Sequence, residues 1–488
     1  MTMTKEDRYE TTVGLEVHVE LATRTKMFCG CEVAFGGEPN TRTCPVCLGM
    51  PGSLPVPNER AVEYTVRIAA ALNCGIAKYS LFHRKNYFYP DMPKNYQISQ
   101  YDFPLGQKGY LEITGEWGTK RVGVNRVHLE EDTGKSIHIG GSGRIADSDY
   151  SLEDFNRAGT PLVEIVSEPD ISSAEEARAY VTELRALLEA LGVSDVRMEE
   201  GSMRVDANVS VALVGAEEYG AKVEVKNMNS IRSVARALEH EEVRQRTALD
   251  GGKTLIQETR HFDEKTGTTS SLRTKEFAFD YRYFPEPDLV PFEADPKQVE
   301  SIKASLPETP ADRRERFVTE YGLSEYDVGV LTSSMATSQW FEAAATVYGG
   351  EAKKIANWIT ADLFGLLNEA GQELAEAKIT PAQLTGLVEL VDSGTISGKQ
   401  AKTVLGEMFT SGKDAATVAK EQGLEQVSDE GALETAVDEV IAENPDAAEK
   451  VRAGQLNTIG FLVGAVMKKT SGQANPGIVN ELLKRKLT

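Results

Sequence analysis

Residues 11–21 read TTVGLEVHVEL, with apolar and polar positions in strict alternation. Leu15, Val17, Val19 and Leu21 fall on one side, and Glu16, His18 and Glu20 on the other. That period predicts a strand with one buried face. It gives way to a helical period over 58–73, opened by Asn58 as a cap, and again over 173–191. In the second helix Ala177, Val181, Leu184, Leu188 and Leu191 share a stripe. Ser173 with Glu176 predicts a capping box there, and Gly192 the stop. Residues 204–213 and 222–225 alternate as strands, joined by a turn at 217–220. Residues 284–297 hold four prolines and predict an extended linker. Beyond them the period is helical, most clearly at 353–368, 381–391 and 398–409, with a break at 410–414. Residues 459–467 and 478–486 predict two last helices around a turn at 471–476. The expected fold is therefore an α+β N-terminal domain, a mixed or antiparallel sheet with helices, over 1–292. Two all-α domains are expected at 293–410 and 411–488.

Composition narrows the function classes. The chain has 488 residues, 41% apolar and 26% charged, which is ordinary for a globular protein. No stretch approaches the ~20 apolar residues of a membrane span. Residues 1–8 are polar and lack the apolar core of a secretory signal, so a cytoplasmic protein is expected. The net charge of −22 excludes indiscriminate duplex binding by the whole surface, although a local basic patch can still hold nucleic acid. The C-terminal end is segregated in this way. Residues 421–450 carry ten acids and one lysine, whereas 451–488 carry six bases (Arg452, Lys468, Lys469, Lys484, Arg485, Lys486) and one acid.

Four of the five cysteines fall together as C-x-C-(x12)-C-x2-C: Cys29, Cys31, Cys44 and Cys47. Close pairs in a large cytosolic chain favour a metal over disulfides, and two pairs can complete a tetrahedron of thiolates around Zn²⁺. Four reduced thiols in a loop are the alternative. Cys74 follows the apolar helix face of Val62, Val66 and Ala69 and reads as a buried small residue.

Glu16, His18 and Glu20 lie at i, i+2 and i+4 of one strand face, where two carboxylates and an imidazole repel burial unless a cation joins them. A solvated face is the other reading. A second acidic run, HLEED at 128–132, precedes Gly134-Lys135-Ser136. Leu129 stands where a Walker motif needs glycine, so this is no P-loop, and there is no G-x-S-x-G elbow. His18-x-Glu20 with Cys44-x-x-Cys47 has the outline of a zinc deaminase motif. However, His18 lies in a strand, Thr43 rather than Pro precedes Cys44, and Cys29 and Cys31 would be left over. Residues 83–100 interleave Arg84, Lys85 and Lys94 with Tyr87, Tyr89 and Tyr96, a composition suited to stacking on a nucleic-acid strand or lining a polar passage. EEGSMRVDAN at 199–208 and KVEVKNMNS at 222–230 add charges and amides that read as the lining of one cleft.

Taken with KMFCGC, CPVCLGMPGSLPV, HRKNYFYPDMPKNYQISQ, DFNRAGTPLVEIVSEPD and DYRYFPEPDL, these motifs resemble the B subunits of the tRNA-dependent amidotransferases almost end to end. The resemblance implies a cradle-shaped N-terminal domain carrying a kinase and transamidase site, then a helical domain and a tail domain that hold tRNA. It implies ATP-dependent conversion of Glu-tRNA(Gln) to Gln-tRNA(Gln), with Asp-tRNA(Asn) as a further substrate left open. It also implies a glutaminase A subunit and a small C subunit as partners. By motif correspondence His18, Glu131 and Glu164 are the implied Mg²⁺ ligands, with Glu16 and Glu20 beside them, and the choice between Glu130 and Glu131 stays open. Arg204, Asp206, Asn208, Lys226 and Asn229 are implied contacts for ATP. Lys85 and Lys94 are implied along an ammonia passage, and Lys468, Lys469, Lys484, Arg485 and Lys486 on tRNA. Zinc on the four cysteines is implied as structural.

Overall fold

The computed structural model describes residues 8–140, 148–274, 281–372, 374–424, 430–470 and 474–487. The chain divides into two compact units, residues 1–310 and 311–488. In chain order the first unit contains β1 (Tyr9–Glu20), α1 (Glu59–Ala71), β2 (Gly75–Ile76), β3 (Tyr79–Ser80), β4 (His83–Asn86) and β5 (Tyr96–Ser99). Next come β6 (Gly106–Gly115), β7 (Gly118–Glu131), β8 (Lys135–Ile139), β9 (Tyr150–Asp154), β10 (Pro161–Ser167) and α2 (Ala174–Leu191). After these follow β11 (Met203–Leu213), β12 (Val223–Met228), α3 (Ile231–Asp250), β13 (Glu258–Asp263) and β14 (Thr268–Thr274). Last are β15 (Phe284–Pro285), β16 (Phe292–Glu293) and α4 (Pro296–Ala304).

Nine strands form one sheet in the order β14-β13-β12-β11-β1-β10-β7-β6-β2. Only the β12–β13 pair is parallel, so the sheet is mixed, as expected. Strand β1 shows why it forms. Leu15, Val17, Val19 and Leu21 are almost fully buried in a core shared with Ala177, Val181, Leu184 and Leu188 of α2 and Val234, Ala237 and Leu238 of α3. Glu16, His18 and Glu20 project from the other face, which leaves that face free for chemistry. Helix α2 is capped by Ser173, whose hydroxyl accepts from the Glu176 amide, and it stops at left-handed Gly192. The expected capping box is only half made. The Glu176 carboxylate accepts instead from Ser172 and from Lys120.

The proline-rich segment is not a linker. Phe284 and Pro285 pair with Arg84 and His83, and Phe292 and Glu293 with Ser80 and Tyr79. Proline is tolerated because these are edge strands, where a missing donor costs no ladder bond. Glu286 locks the segment down. Its fully buried carboxylate accepts from Arg84 Nε at 2.7 Å and Nη2 at 2.8 Å. Strands β15, β4 and β5 thus make a small second sheet over the end of β7.

The second unit is helical: α5 (Pro310–Tyr321), α6 (Glu325–Leu331), α7 (Met335–Tyr348), α8 (Ala352–Asn357), a π-helical stretch (Trp358–Leu363), α9 (Phe364–Ala370), α10 (Pro381–Asp392), α11 (Gly398–Ser411), α12 (Ala415–Glu421), α13 (Glu430–Glu443), α14 (Pro445–Arg452), α15 (Ile459–Lys469) and α16 (Pro476–Leu487). It holds two apolar cores. The first runs through Ala415, Val418 and Ala419, so α12 packs with the helices before it and the break at 410–414 is a turn within one core. The second begins at Leu433 and is closed by Leu462, Val466, Leu482 and Leu483. Of the turn expected at 471–476, residues 471–473 lie outside the described residues. Among the described residues no helix is long and apolar enough to cross a membrane.

Candidate active site and metal centre

The polar face of the large sheet gathers charge by register alone. His18 on β1 sits opposite Glu164 on β10, Glu164 opposite His128 on β7, and His18 opposite Arg204 on β11. His18 Nε2 is 3.5 Å from Glu164 Oε2, and His128 Nε2 is 3.3 Å from that oxygen and 3.6 Å from Glu130 Oε2. His18, Glu130 and Glu164 each present a ligand atom within 4.8 Å of the others. Burial alone would push Glu164 upward. The neighbouring His128 and His18 outweigh that and hold it well below the usual carboxylate range. His128 answers in kind: burial pulls it down, but Glu164 and Glu130 raise it to about 9. Two carboxylates and an imidazole with room for further oxygen ligands suit a hard divalent cation such as Mg²⁺. Ser99 Oγ donates to Glu130 at 3.0 Å and Arg126 Nη2 to Glu164 at 3.3 Å, fixing both carboxylates.

Further charges flank this cluster. Asp132 accepts from Arg204 Nη2 at 2.8 Å and lies 3.6 Å from Arg157. Glu20 is raised to about 8, first by burial and then by the neighbouring Asp132. On the other flank Lys226 pairs with Asp206, and Asn208 Nδ2 donates to Glu16 at 2.8 Å. Lys85, on β4, lies in the field of Glu130 and Glu164. Burial opposes its charge, but those carboxylates and Tyr283 raise its pKa.

Glu131, one residue along, faces the opposite way. Its carboxylate accepts from Lys94 Nζ and from the Ile98 amide, at 2.9 Å, inside a cavity of about 130 Å³. Lys26, Phe28, Cys47, Lys94 and Tyr96 are among its walls. Gly49, at φ +65°, lets the Lys94 stem cross, since a Cβ there would stand 2.4 Å from Lys94 Cγ. Cys29 and Cys47 line this cavity, and with Cys31 and Cys44 their thiols lie within 4.8 Å of one another, close to the ~3.8 Å edge of a zinc–thiolate tetrahedron. Cys47 is lowered to about 5, chiefly by a hydrogen bond from Cys29 and further by Lys26. The Lys26 ammonium, on a side chain almost wholly buried, lies 3.8 Å from Cys47 Sγ and donates to the Phe155 carbonyl at 3.1 Å. A tetrathiolate around Zn²⁺ carries two negative charges, and a buried lysine beside it is the chemistry such a centre calls for. The residues fit the metal.

Residues 11–300 match the family model described as the GatB/GatE catalytic domain, and 339–487 the one described as the GatB domain. The chain belongs to the GatB family of amidotransferase subunits. It is 54% identical to the B subunit of the aspartyl/glutamyl-tRNA(Asn/Gln) amidotransferase of Carboxydothermus hydrogenoformans, over 98% of this chain and 99% of that one. The protein of the same name from Caldanaerobacter subterraneus is 53% identical over 99% of this chain and all of its own. That from Thermodesulfovibrio yellowstonii is 53% identical over 98% of both chains.

Within this family fold the residues singled out from sequence separate into groups. His18 and Glu164 converge. Glu131 does not join them, and Glu130 takes the place, because alternation along β7 puts His128 and Glu130 on the site face and Glu131 behind it. Glu16 stands beside the cluster with Asn208, whereas Glu20 turns to Asp132. Arg204, Asp206, Asn208 and Lys226 share the cleft face. Asn229 is exposed in the turn before α3, away from those pairs. Lys85 and Lys94 lie on different sides of the wall that β5 and β7 make. The clusters of His18 and of Cys44 with Cys47 are distinct, which removes the deaminase reading. In the tail Lys469 pairs with Glu439 and Glu443, Arg485 with Glu434 and Lys486 with Asp438, so acids of α13 hold three of the five bases. Lys468 is exposed on α15, and Lys484 lies on α16 beside Arg485. Sequence reading missed His128, Asp132 and Arg157 as site members and Lys26 as the thiolates' neighbour. The alternation of His128 and Glu130 with Leu129 carried the first of these.

Proposed function

We propose that this chain is the kinase and transamidase subunit that turns Glu-tRNA(Gln), and Asp-tRNA(Asn) where it is made, into Gln-tRNA(Gln) and Asn-tRNA(Asn). The observation that carries the proposal is the convergence of His18, Glu130 and Glu164 on the sheet face that also bears Lys85, Arg126, Arg157, Arg204 and Lys226 paired with its acids. Acids that hold a cation, ringed by bases that hold phosphates, suit phosphoryl transfer. His18, Glu130 and Glu164 would hold Mg²⁺, which supplies charge shielding to the nucleotide phosphates when bound. Arg204 and Lys226 are placed to orient those phosphates on the cleft face, each already steered by an acid, Asp132 and Asp206. An oxygen of the tRNA-linked side-chain carboxylate attacks the terminal phosphorus of ATP, and the bond to the ADP oxygen breaks. Ammonia nitrogen then attacks the acyl carbon, phosphate leaves with the bonding pair, and the nitrogen sheds a proton to form the amide. Lys85 stands at the reacting end, beside Glu130 and Glu164, where an ammonium balances the growing negative charge. Lys94 lines the cavity on the other side, toward which ammonia released by a glutaminase partner would be delivered.

We further propose three domains, the first running through α4 and the other two built on the two helical cores. The bases of α15 and α16 contact the tRNA body, and a partner glutaminase with a small third subunit completes a cytoplasmic enzyme. The four cysteines hold zinc as scaffold. The test is ATP-dependent amide formation on Glu-tRNA(Gln) by the complex with both partner subunits, using glutamine or ammonium chloride as donor. ADP released in step with Gln-tRNA supports the reading. Tight tRNA binding with no ADP release would make this a binding protein and overturn it.

A further inference from the structure

Beside the acid cluster stands a wall of tyrosines that the chemistry above does not use. Tyr101 and Tyr283 stack face to face, with centroids 4.3 Å apart and planes 8° from parallel. His83 meets both rings edge-on, at 6.3 and 6.5 Å, and is itself nearly fully buried. Tyr281 meets Tyr283 edge-to-face at 6.1 Å, and the Lys85 ammonium lies 5.0 Å over the Tyr281 ring. Tyr101 is nonetheless 44% exposed. Tyr283 covers one face of Tyr101 and His83 lies beside both rings, and among the described residues no other ring covers the second face. The backbone that presents the wall is strained. Arg282, between the two tyrosines, has φ +45°, a left-handed conformation that non-glycine residues avoid. Asn86 holds it there, its Nδ2 donating to the Tyr281 and Arg282 carbonyls at 2.9 and 2.8 Å. Strain fixed by a dedicated side chain marks a surface whose orientation matters.

We infer that Tyr101 is the stacking platform for the unpaired purine at the 3′ end of the RNA substrate. The inference rests on the functional reading above and names a contact for it. The aminoacyl group must reach Glu130 and Glu164, so the terminal adenosine that carries it must come to rest within the reach of that group. Lys85 spans that interval, with its ammonium over Tyr281 and in the field of both carboxylates. An open π-face accepts any base, and flanking cations hold the chain's phosphates, which is how single strands are bound without base-edge readout. Arg282 is exposed at the rim, with its guanidinium 6.0 Å over the Phe88 ring, and supplies such a cation. A second stacked pair, Tyr87 and Tyr89 at 5.2 Å, leaves Tyr89 open on the same stretch of chain for the preceding nucleotide.

The experiment uses the full complex and a tRNA whose 3′-terminal base is 2-aminopurine, with 2-aminopurine riboside triphosphate as the second probe. Stacking on Tyr101 quenches the RNA probe's fluorescence. Y101A should lose that quenching and raise KM for aminoacyl-tRNA roughly five- to hundredfold, leaving KM for ATP unchanged, and Y101F should restore both. Equal quenching in Y101A overturns the inference. So does quenching by Tyr101 of the triphosphate alone, which would make the wall a site for the nucleotide's base. A Y101F variant as impaired as Y101A would show that the ring itself is not what binds. If wild-type complex amidates no tRNA, the functional reading fails. If amidation is intact but insensitive to Tyr101, only the platform does.

Discussion

Glu130 and Glu131 are neighbours on one strand, both about 2% exposed, yet they belong to different chemistries. Glu130 faces two histidines and Glu164, with Lys85 nearby. Glu131 faces a cavity of about 130 Å³ with Lys94, Cys29 and Cys47. The difference teaches that a strand buried on both faces can serve as a partition, keeping two sets of charged groups apart. On the Glu130 side two acids and His18 present ligand atoms within 4.8 Å of one another. On the Glu131 side the acid already has a cation in Lys94, and a further metal would have to displace it.

The sharpest way to break this contrast is to neutralise each acid in turn. Glu130→Gln should lower ATP-dependent phosphorylation by about 10³-fold or more, since it removes one ligand of the cation cluster. Glu131→Gln should leave Mn²⁺ binding, used as a probe for the divalent site, near wild type while disturbing Lys94. The reverse pattern in a Mn²⁺ titration would falsify the assignment of Glu130. Next in size, Cys44→Ser should release zinc and lower the melting temperature of the protein on the order of 10 °C, with Mn²⁺ affinity at the other face little changed. Metal analysis and calorimetry on the same sample check this. Lys26→Met should speed zinc transfer to a chelator about tenfold, through loss of the charge beside Cys47, and Lys26→Arg should recover part of it. A release rate indifferent to both substitutions would remove Lys26 from the metal's surroundings.

The smallest effect serves as a control remote from the partition. Glu241 on α3 is buried, which pushes its pKa up, but hydrogen bonds from Arg244 and Thr269 outweigh this and hold it below the usual range. A depressed carboxyl contributes stability that is full above its unfolded pKa of about 4.3 and disappears as pH falls through the folded value. Glu241→Gln should therefore cost about 2 kcal/mol at pH 7, with the gap to wild type closing under acid. Denaturant midpoints at pH 7 and at the lowest pH at which both proteins stay folded measure the gap. A constant difference across that range would mean that Glu241 acts by shape and not by charge.

Much of this was legible in the sequence where one period ruled. Strand β1 and helices α1 and α2 follow from alternation and caps, and the cysteine spacing alone foretold the thiol cluster. The choice between Glu130 and Glu131, open in the sequence, turns on the phase of one strand. Counting in twos from Val127 puts Glu131 with the apolar face, and only His128 and Glu130 can look toward His18. Residues 284–297 failed for a different reason. Prolines announce the absence of donors but not whether an acceptor-only edge will be used, and the partner strand lies about two hundred residues earlier. The tyrosine wall was out of reach for the same cause, since Tyr101 and Tyr283 meet only through that long-range pairing.

That pairing also sets a schedule. Arg84 waits for Glu286, 202 residues downstream, and Asn86 for the carbonyls of Tyr281 and Arg282. At ~5–20 residues per second, a ribosome needs roughly 10–40 s to deliver the missing edge after β4 has emerged. During that interval the nascent chain exposes β4 without its partner and leaves Arg84 without its buried acid. The unfinished edge is then a place for a chaperone to hold or for two nascent chains to join wrongly. A ribosome pausing before residue 280 would prolong that vulnerability.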